Sequence, residues 1–248
     1  MFDNLEPLDP EKHKDLRFSP ADNFKFAAAV PSAPLSASEV VDAARVFPVA
    51  FSPDGPLLPV AMFSVKEGEN AFVDAEGKWQ AAYIPAHIRR YPFILGNTDT
   101  PDNFSVLFVP DAPHFDGTGD VSERLFTGDG EQGTTLTKAM EFLTAFQSEI
   151  VATEKLLAPL AETEVLTLQR LDLTNAEGKT ISIDGVRAVD REKLMALDDA
   201  TLAGWVRSGL MVVIDAHLGS LKNFGVLTGR QADADAGEAA KKPAKKST

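Results

Sequence analysis

The chain has 248 residues, of which 44% are hydrophobic and 25% are charged, as is usual for a globular protein of one large or two small domains. It contains no cysteine, which excludes disulfides, thiolate catalysis and Cys-based zinc or iron–sulfur sites. The formal net charge of −13 argues against nucleic acid or an anionic membrane as a partner.

The N-terminal segment, residues 1–22, is polar and interrupted by proline, and we expect it to form an extended arm over the surface. It contains acidic residues and no apolar core segment, so a secretory signal peptide is not predicted. No run of about 18 apolar residues predicts a membrane span. We therefore expect a cytoplasmic location, with the cell surface reached only by an export route that needs no signal peptide.

The next part of the chain combines short helices with strands. Ser36 and Glu39 have the spacing of a capping box, which predicts a short helix that ends before Pro48. Pro85 suits the first position of a second helix of about two turns that ends before Pro92. Apolar segments separated by turns predict an antiparallel meander. These segments are 49–51, 58–65, 71–73, 79–84, 93–95 and 104–109.

The second half begins with a loop-like stretch, residues 110–133. Thr134 or Thr135 is then expected to cap one long helix, at about residues 134–158, with Pro159 just beyond its end. Gly209 is expected to cap a later short helix. The other predicted elements are a β-hairpin (165–173 and 180–183), short helices (191–196 and 198–207), an apolar run (211–214) and a final helix (216–227).

Together these elements predict an α+β fold, with a single domain at residues 23–230. Residues 231–248 are rich in alanine and lysine and carry no large apolar side chain. They predict a disordered, solvated tail, because such a segment has nothing to bury in a core.

Two glycine-rich or acidic patterns are similar to known ligand-binding loops. Gly128, Gly130 and Gly133 have the spacing of a dinucleotide fingerprint, but Asp129 and Glu131 would repel a phosphate and no βαβ unit surrounds the loop. A solvated turn before a helix is the expectation. An EF-hand also fails, since alanine and histidine stand where the loop requires oxygen ligands. No cofactor is therefore predicted.

The four histidines, His13, His87, His114 and His217, are far apart in sequence, and no H-E-x-x-H motif occurs. No metal site is predicted from this spacing. His217 lies in an apolar helix start and is expected to be buried with its hydrogen bonds satisfied. No motif identifies a catalytic residue.

The segment from residue 72 to 95 concentrates aromatic and basic side chains in an otherwise acidic protein. It holds one of the two tryptophans and both tyrosines of the chain. Arginine can clamp a carboxylate or a phosphate with two hydrogen bonds, and His87 and Arg90 share one face of the predicted helix. Alternatively, the arginines pair with acidic side chains of the chain, and Trp79 and Tyr83 belong to the core. The candidate ligand-binding residues are Trp79, Tyr83, His87, Arg89, Arg90 and Tyr91.

Several unusual segments, in the same order, resemble the SapC family of bacterial proteins over roughly residues 23–230. The most specific is YIPAHIRRYPFIL at 83–95. The others are FPVAF at 47–51, LPVAMFSV at 58–65, NAFVDAEGKW at 70–79, LFTGDGEQ at 125–132, ISIDGVRAVDREKLMALDDATL at 181–202 and SGLMVVIDAHLGSL at 208–221. The resemblance implies an association with bacterial surface layers, and it carries no catalytic residues.

Three functions remain open on this basis. The first, favoured by the resemblance, is a non-catalytic interaction with a protein partner, related to the surface layer or the cell envelope. The second is a small-molecule binder or an enzyme that uses the Trp79–Arg90 region for a ligand with a carboxylate or phosphate. The third is a cytosolic accessory protein of another enzyme.

Overall fold

The structure is a computed structural model that describes residues 1–97, 104–115, 122–174 and 180–241. Within these ranges the fold is α+β, as predicted. The strands are β1 (Glu6–Pro7), β2 (Arg17–Phe18), β3 (Ser32–Pro34), β4 (Val49–Phe51), β5 (Pro59–Met62), β6 (Phe93–Asn97), β7 (Phe104–Phe108), β8 (Glu123–Arg124), β9 (Leu166–Thr174) and β10 (Thr180–Val189). The α-helices are α1 (Val40–Ala43), α2 (Ala86–Arg89), α3 (Thr134–Ala161), α4 (Arg191–Met195), α5 (Asp199–Ser208), α6 (Leu210–Ser220) and α7 (Asn223–Lys241).

The strands form small antiparallel sheets, in the orders β1-β7-β6, β3-β5-β4, β10-β9 and β2-β8. The predicted hairpin is β9–β10; its tip, residues 175–179, lies outside the described residues. The segment predicted as an N-terminal arm is tied to the domain at two places, because it contributes β1 to the sheet of β7 and pairs β2 with β8.

The predicted meander is interrupted in its middle. Residues 71–73 and 79–84 do not form strands, and only one isolated bridge, Val73 to Trp79, joins them. The indole N–H of Trp79 donates to the carbonyl of Tyr83 at 2.8 Å, which holds the chain after Trp79 as a loop. This loop leads the chain away from the sheet and into α2.

Helix α3 packs against two separate hydrophobic clusters of the described residues. Leu136 and Leu143 belong to a cluster with β6 and β7, whereas Leu157 and Leu160 belong to the larger cluster around β3-β5-β4 and α6. Burial of Leu160 explains why α3 extends past its predicted end and includes Pro159. A 28-residue helix thus carries its central turns across the junction of the two clusters.

The start of α3 also differs from the prediction. Its N-cap is Gly133, without a side-chain cap, while the Thr135 hydroxyl donates instead to the Glu123 carboxylate. The amide of Gly133 donates to the carbonyl of Leu125 at 2.8 Å, so the two backbones lie very close. A side chain at Gly133 would meet the Arg124 carbonyl oxygen at 2.8 Å.

We therefore expect Gly133→Ala to destabilise the protein by about 1–3 kcal/mol, because the new methyl group would collide with backbone that cannot rotate away. The measurement is urea unfolding followed by circular dichroism. Gly128→Ala is the matched control, since a Cβ there meets nothing within 4 Å. Equal stability of the two variants would contradict the prediction.

The C-terminal part follows the prediction closely up to α6. Asp190 and Asp198 accept hydrogen bonds from the first turns of α4 and α5, and Gly209 ends α5 with a left-handed φ of 86°. The apolar run 211–214 and the first part of the predicted final helix, 216–220, form α6, and a break at Leu221 and Lys222 divides that predicted helix, so that its remainder begins α7. Helix α7 continues to Lys241, beyond residue 231, where the sequence predicts the tail to begin; residues 242–248 lie outside the described residues.

In the described part of the chain, no single helix has both the length and the apolar composition needed to cross a membrane. Helix α6 and the first part of α7, to Ala232, meet these criteria only as a pair, and the two are bent by 43°.

Candidate functional site

A buried carboxylate organises the region in which the candidate residues lie. Glu39 is 7% exposed, and its Oε1 accepts hydrogen bonds from the Ala86 amide at 2.7 Å and the Tyr83 hydroxyl at 2.8 Å. Its Oε2 accepts from the amide and hydroxyl of Ser36, at 3.1 and 3.2 Å. Of the predicted capping box, only the bond from the Ser36 amide to Glu39 forms, and the N-cap of the four-residue α1 is Glu39 rather than Ser36. The same carboxylate anchors the first turn of α2.

Trp79 and Tyr83 take structural positions. Trp79 is 8% exposed and packs among the rings of Phe47 and Phe63, with centroid distances of 6.2 and 5.5 Å. Burial and the adjacent Glu39 carboxylate raise the pKa of the half-buried Tyr83 well above its ordinary value. Of the two interpretations of these residues, the structure therefore agrees with the one in which Trp79 and Tyr83 belong to the core rather than to a ligand site.

Helix α2 presents the two arginines in different ways. It has four residues, one turn rather than the predicted two, and Pro85 is its N-cap, with an extended ψ of 146°, rather than its first residue. Arg89 is exposed, donates to the Ile84 carbonyl at 3.0 Å and lies 3.9 Å from Glu39. Its guanidinium also stands over the Phe142 ring of α3, at 5.3 Å.

Arg90 packs against two aromatic rings. Its guanidinium lies 4.8 Å from the ring centroid of Phe2 and 5.2 Å from that of Phe146. Its Nη2 is 3.0 Å from Nδ1 of His87. No carboxylate of the described residues lies within ion-pairing distance of Arg90, so the expectation that both arginines pair with acids of the chain applies only to Arg89.

The electrostatics of this cluster keep the positive charge on the arginines. Burial, together with the charge of Arg90, lowers the pKa of His87 to about 3, so the imidazole is neutral and its Nδ1 can accept from the guanidinium. Burial lowers the pKa of Arg90 to about 10, which leaves it charged at neutral pH. Burial, and then Asp111 and Asp3, raise the pKa of Tyr91.

A pocket of about 270 Å³ opens between α2, β6 and α3. It contains three cationic side chains and no acidic one. Its lining residues are Phe18, Arg89, Arg90, Tyr91, Phe93, Thr135, Lys138, Ala139, Phe142 and Leu143. Arg89, Arg90 and Tyr91 of the six candidates line the pocket, whereas Trp79, Tyr83 and His87 do not.

Sequence reasoning missed the half of this pocket that α3 supplies. Lys138 and Phe142 are four residues apart and therefore lie on one face of the helix, a spacing that can be read from the sequence. Nothing in that spacing says that this face meets α2. Glu39 was recognised only as a capping residue, and its bonds to Tyr83 and Ala86 connect segments more than forty residues apart.

The segments that carry these residues match a family model. The SapC model covers residues 8–227 of the chain. The chain belongs to the SapC family. The match confirms the resemblance and begins inside the N-terminal segment, before β2. No curated protein and no solved structure matches the chain.

His217, the histidine that the sequence predicts to be buried, is buried in this SapC-family chain. His217 is 0% exposed; its Nδ1 lies 2.7 Å from the carbonyl of Val49, and its Nε2 accepts from the amide of Val189 at 3.1 Å. The ring therefore bridges β4 and β10, with the proton on Nδ1. Burial lowers the pKa of His217 to about 4, although the bond to Val49 opposes this shift.

The glycine-rich loop of the SapC-family chain uses its amides internally. The amides of Thr127 and Gly130 donate to carbonyls within the loop, and the Glu131 amide donates to the Thr127 hydroxyl at 3.1 Å. These amides are therefore not directed at a ligand, as a phosphate-binding loop requires. The described residues also contain no group of three metal-ligating side chains.

Proposed function

We propose that this SapC-family protein has a non-catalytic role in which it binds a protein partner, related to the surface layer or the envelope of a bacterium. The family relationship supports the envelope connection, because a SapC resemblance implies an association with bacterial surface layers and the SapC model covers residues 8–227. The observation that carries the non-catalytic part is the bonding state of Glu39 and His87.

General acid–base catalysis is most effective when the pKa of the catalytic group lies near the working pH. Burial lowers the pKa of His87 to about 3, and burial with Glu39 raises that of Tyr83, so both groups move away from neutrality. Both oxygens of Glu39 are occupied by donors of the protein itself. These groups serve to hold α2 in place, which supports a binding role.

The test is fractionation of the source bacterium with chromosomally tagged protein, followed by crosslinking and affinity purification. We expect the protein in the envelope or surface-layer fraction, crosslinked to one main partner. A cytosolic marker enzyme is the fractionation control. Protein found only with the cytosolic marker and without a crosslinked partner would contradict the proposal, and a cytosolic enzyme as the main partner would identify an accessory protein instead.

A further inference from the structure

We propose that the pocket between α2 and α3 binds a small aromatic molecule that carries one anionic group, a carboxylate or a phosphate. This inference goes beyond the protein-interaction role and does not depend on it. It rests on the charge, the shape and the rigidity of the pocket.

The charge of the pocket is opposite to that of the whole protein. Arg89, Arg90 and Lys138 line it and no acidic side chain does, although the chain has a net charge of −13. Arg89 is 3.9 Å from Glu39, a carboxylate whose oxygens already accept closer hydrogen bonds. Neither Arg90 nor Lys138 has an ion-pair partner among the described residues. An anion would therefore meet three cations that nearby acids offset only in part, through Glu39 beside Arg89 and Glu123, which is bonded to the lining residue Thr135.

The remaining lining favours a flat apolar body. Four rings contribute to the walls, and Ala139 and Leu143 complete the apolar surface. Aromatic side chains pack well against other rings in offset or edge-to-face arrangements. The volume of about 270 Å³ lies just below the range of sites for drug-sized ligands, which suits a molecule with a single ring. The rings belong to Phe18, Tyr91, Phe93 and Phe142.

Arg90 is already immobilised for such a contact. The rings of Phe2 and Phe146 both pack against its guanidinium, and one of its nitrogens lies at hydrogen-bond distance from His87. A preorganised cation loses little conformational entropy when it binds an anion.

The test is isothermal titration calorimetry of the full chain with 3-phenylpropanoate, phenyl phosphate and the neutral 3-phenylpropanamide. We expect at least one anion to bind about tenfold or more tightly than the amide, because a charge-assisted hydrogen bond to arginine is lost with the amide. The tighter anion identifies the preferred acidic group. Equal affinity for the amide and both anions, or no binding of any probe, would overturn the proposal.

Variants locate the binding. Lys138→Gln is expected to weaken anion binding by roughly three- to tenfold and to leave amide binding unchanged, since only the charge is removed. Lys155→Gln, an exposed position on the same helix outside the pocket, is the matched control and should bind like the wild type. Arg90→Gln should weaken anion binding more than Lys138→Gln. Because Arg90→Gln could also disturb folding, the Lys138 and Lys155 pair decides: identical anion affinities in these two variants would exclude this pocket.

Discussion

Replacement of Glu39 by alanine is expected to destabilise the protein by about 3–5 kcal/mol, the range measured when one partner of a buried charged network is removed. The side chain is 7% exposed and accepts from the amides of Ser36 and Ala86 and from the Tyr83 hydroxyl. These donors would remain buried without an acceptor, and each unsatisfied donor costs about 1–3 kcal/mol. Urea unfolding at neutral pH measures the loss.

Two controls separate the network from a general effect of losing a carboxylate. Glu149→Ala removes an exposed carboxylate on α3 and should change stability by no more than about 0.5 kcal/mol. Tyr83→Phe removes one donor while Glu39 keeps its other partners, and we expect a loss of about 1 kcal/mol. If Glu39→Ala were no less stable than Glu149→Ala, the network would not contribute to stability in the way its geometry indicates.

The second large expected effect is a decrease in the free energy of unfolding at acidic pH, caused by protonation of His217. Its pKa is lowered from 6.5 to about 4 in the folded protein, so between these values the unfolded chain binds a proton that the folded protein does not. Stability then rises with pH across this window: the contribution is complete above about pH 6.5 and is lost as the pH falls toward 4. The shift corresponds to about 3 kcal/mol.

The comparison of wild type with His217→Gln isolates this contribution, because other titrating groups are common to both proteins. At pH 7 the variant should be less stable, since a glutamine cannot reproduce the bridge between Val49 and Val189. The difference in the free energy of unfolding should shrink by about 3 kcal/mol between pH 7 and pH 4. The same comparison in a His87→Gln background is the control. It removes another histidine with a lowered pKa, and the pH-dependent effect of His217→Gln should persist there. A difference independent of pH would contradict the assignment.

The buried Glu39 also has a consequence for the pocket. Glu39 fixes the first turn of α2, and α2 carries Arg89 and places Arg90 at its C-terminal end. Helix α3 forms the opposite wall, and outside the pocket its Thr153 hydroxyl accepts a hydrogen bond from the Ala37 amide at 2.8 Å, which attaches α3 to the segment just before α1. The cations of the pocket are therefore positioned by polar contacts outside it, and variants at Glu39 are expected to alter ligand affinity as well as stability.

Short-range sequence patterns predicted those secondary-structure elements whose formation depends on residues close together in the chain. The apolar spacing along α3, the alternation in β9 and β10 and the glycine at position 209 each act within one or two turns of chain, and these elements are present. The same patterns predicted the wrong helix end and a strand that does not form, at places where contacts with other parts of the fold determine the structure. Burial of Leu160 extends α3 through Pro159, and the Trp79–Tyr83 bond replaces a predicted strand with a loop.

The amino-acid sequence alone determined the α+β class, the SapC resemblance, the burial of His217 and the concentration of aromatic and basic residues before β6, because these depend on composition and short-range spacing. Only the tertiary structure decided which of those residues face a pocket. Trp79 is buried in the core and the half-buried Tyr83 packs against it, while Arg89, Arg90 and Tyr91 line one pocket with Lys138 and Phe142 of α3. The reason is physical: a side chain's surroundings depend on which face of a distant helix packs against it, and that choice is made by burial of the whole core.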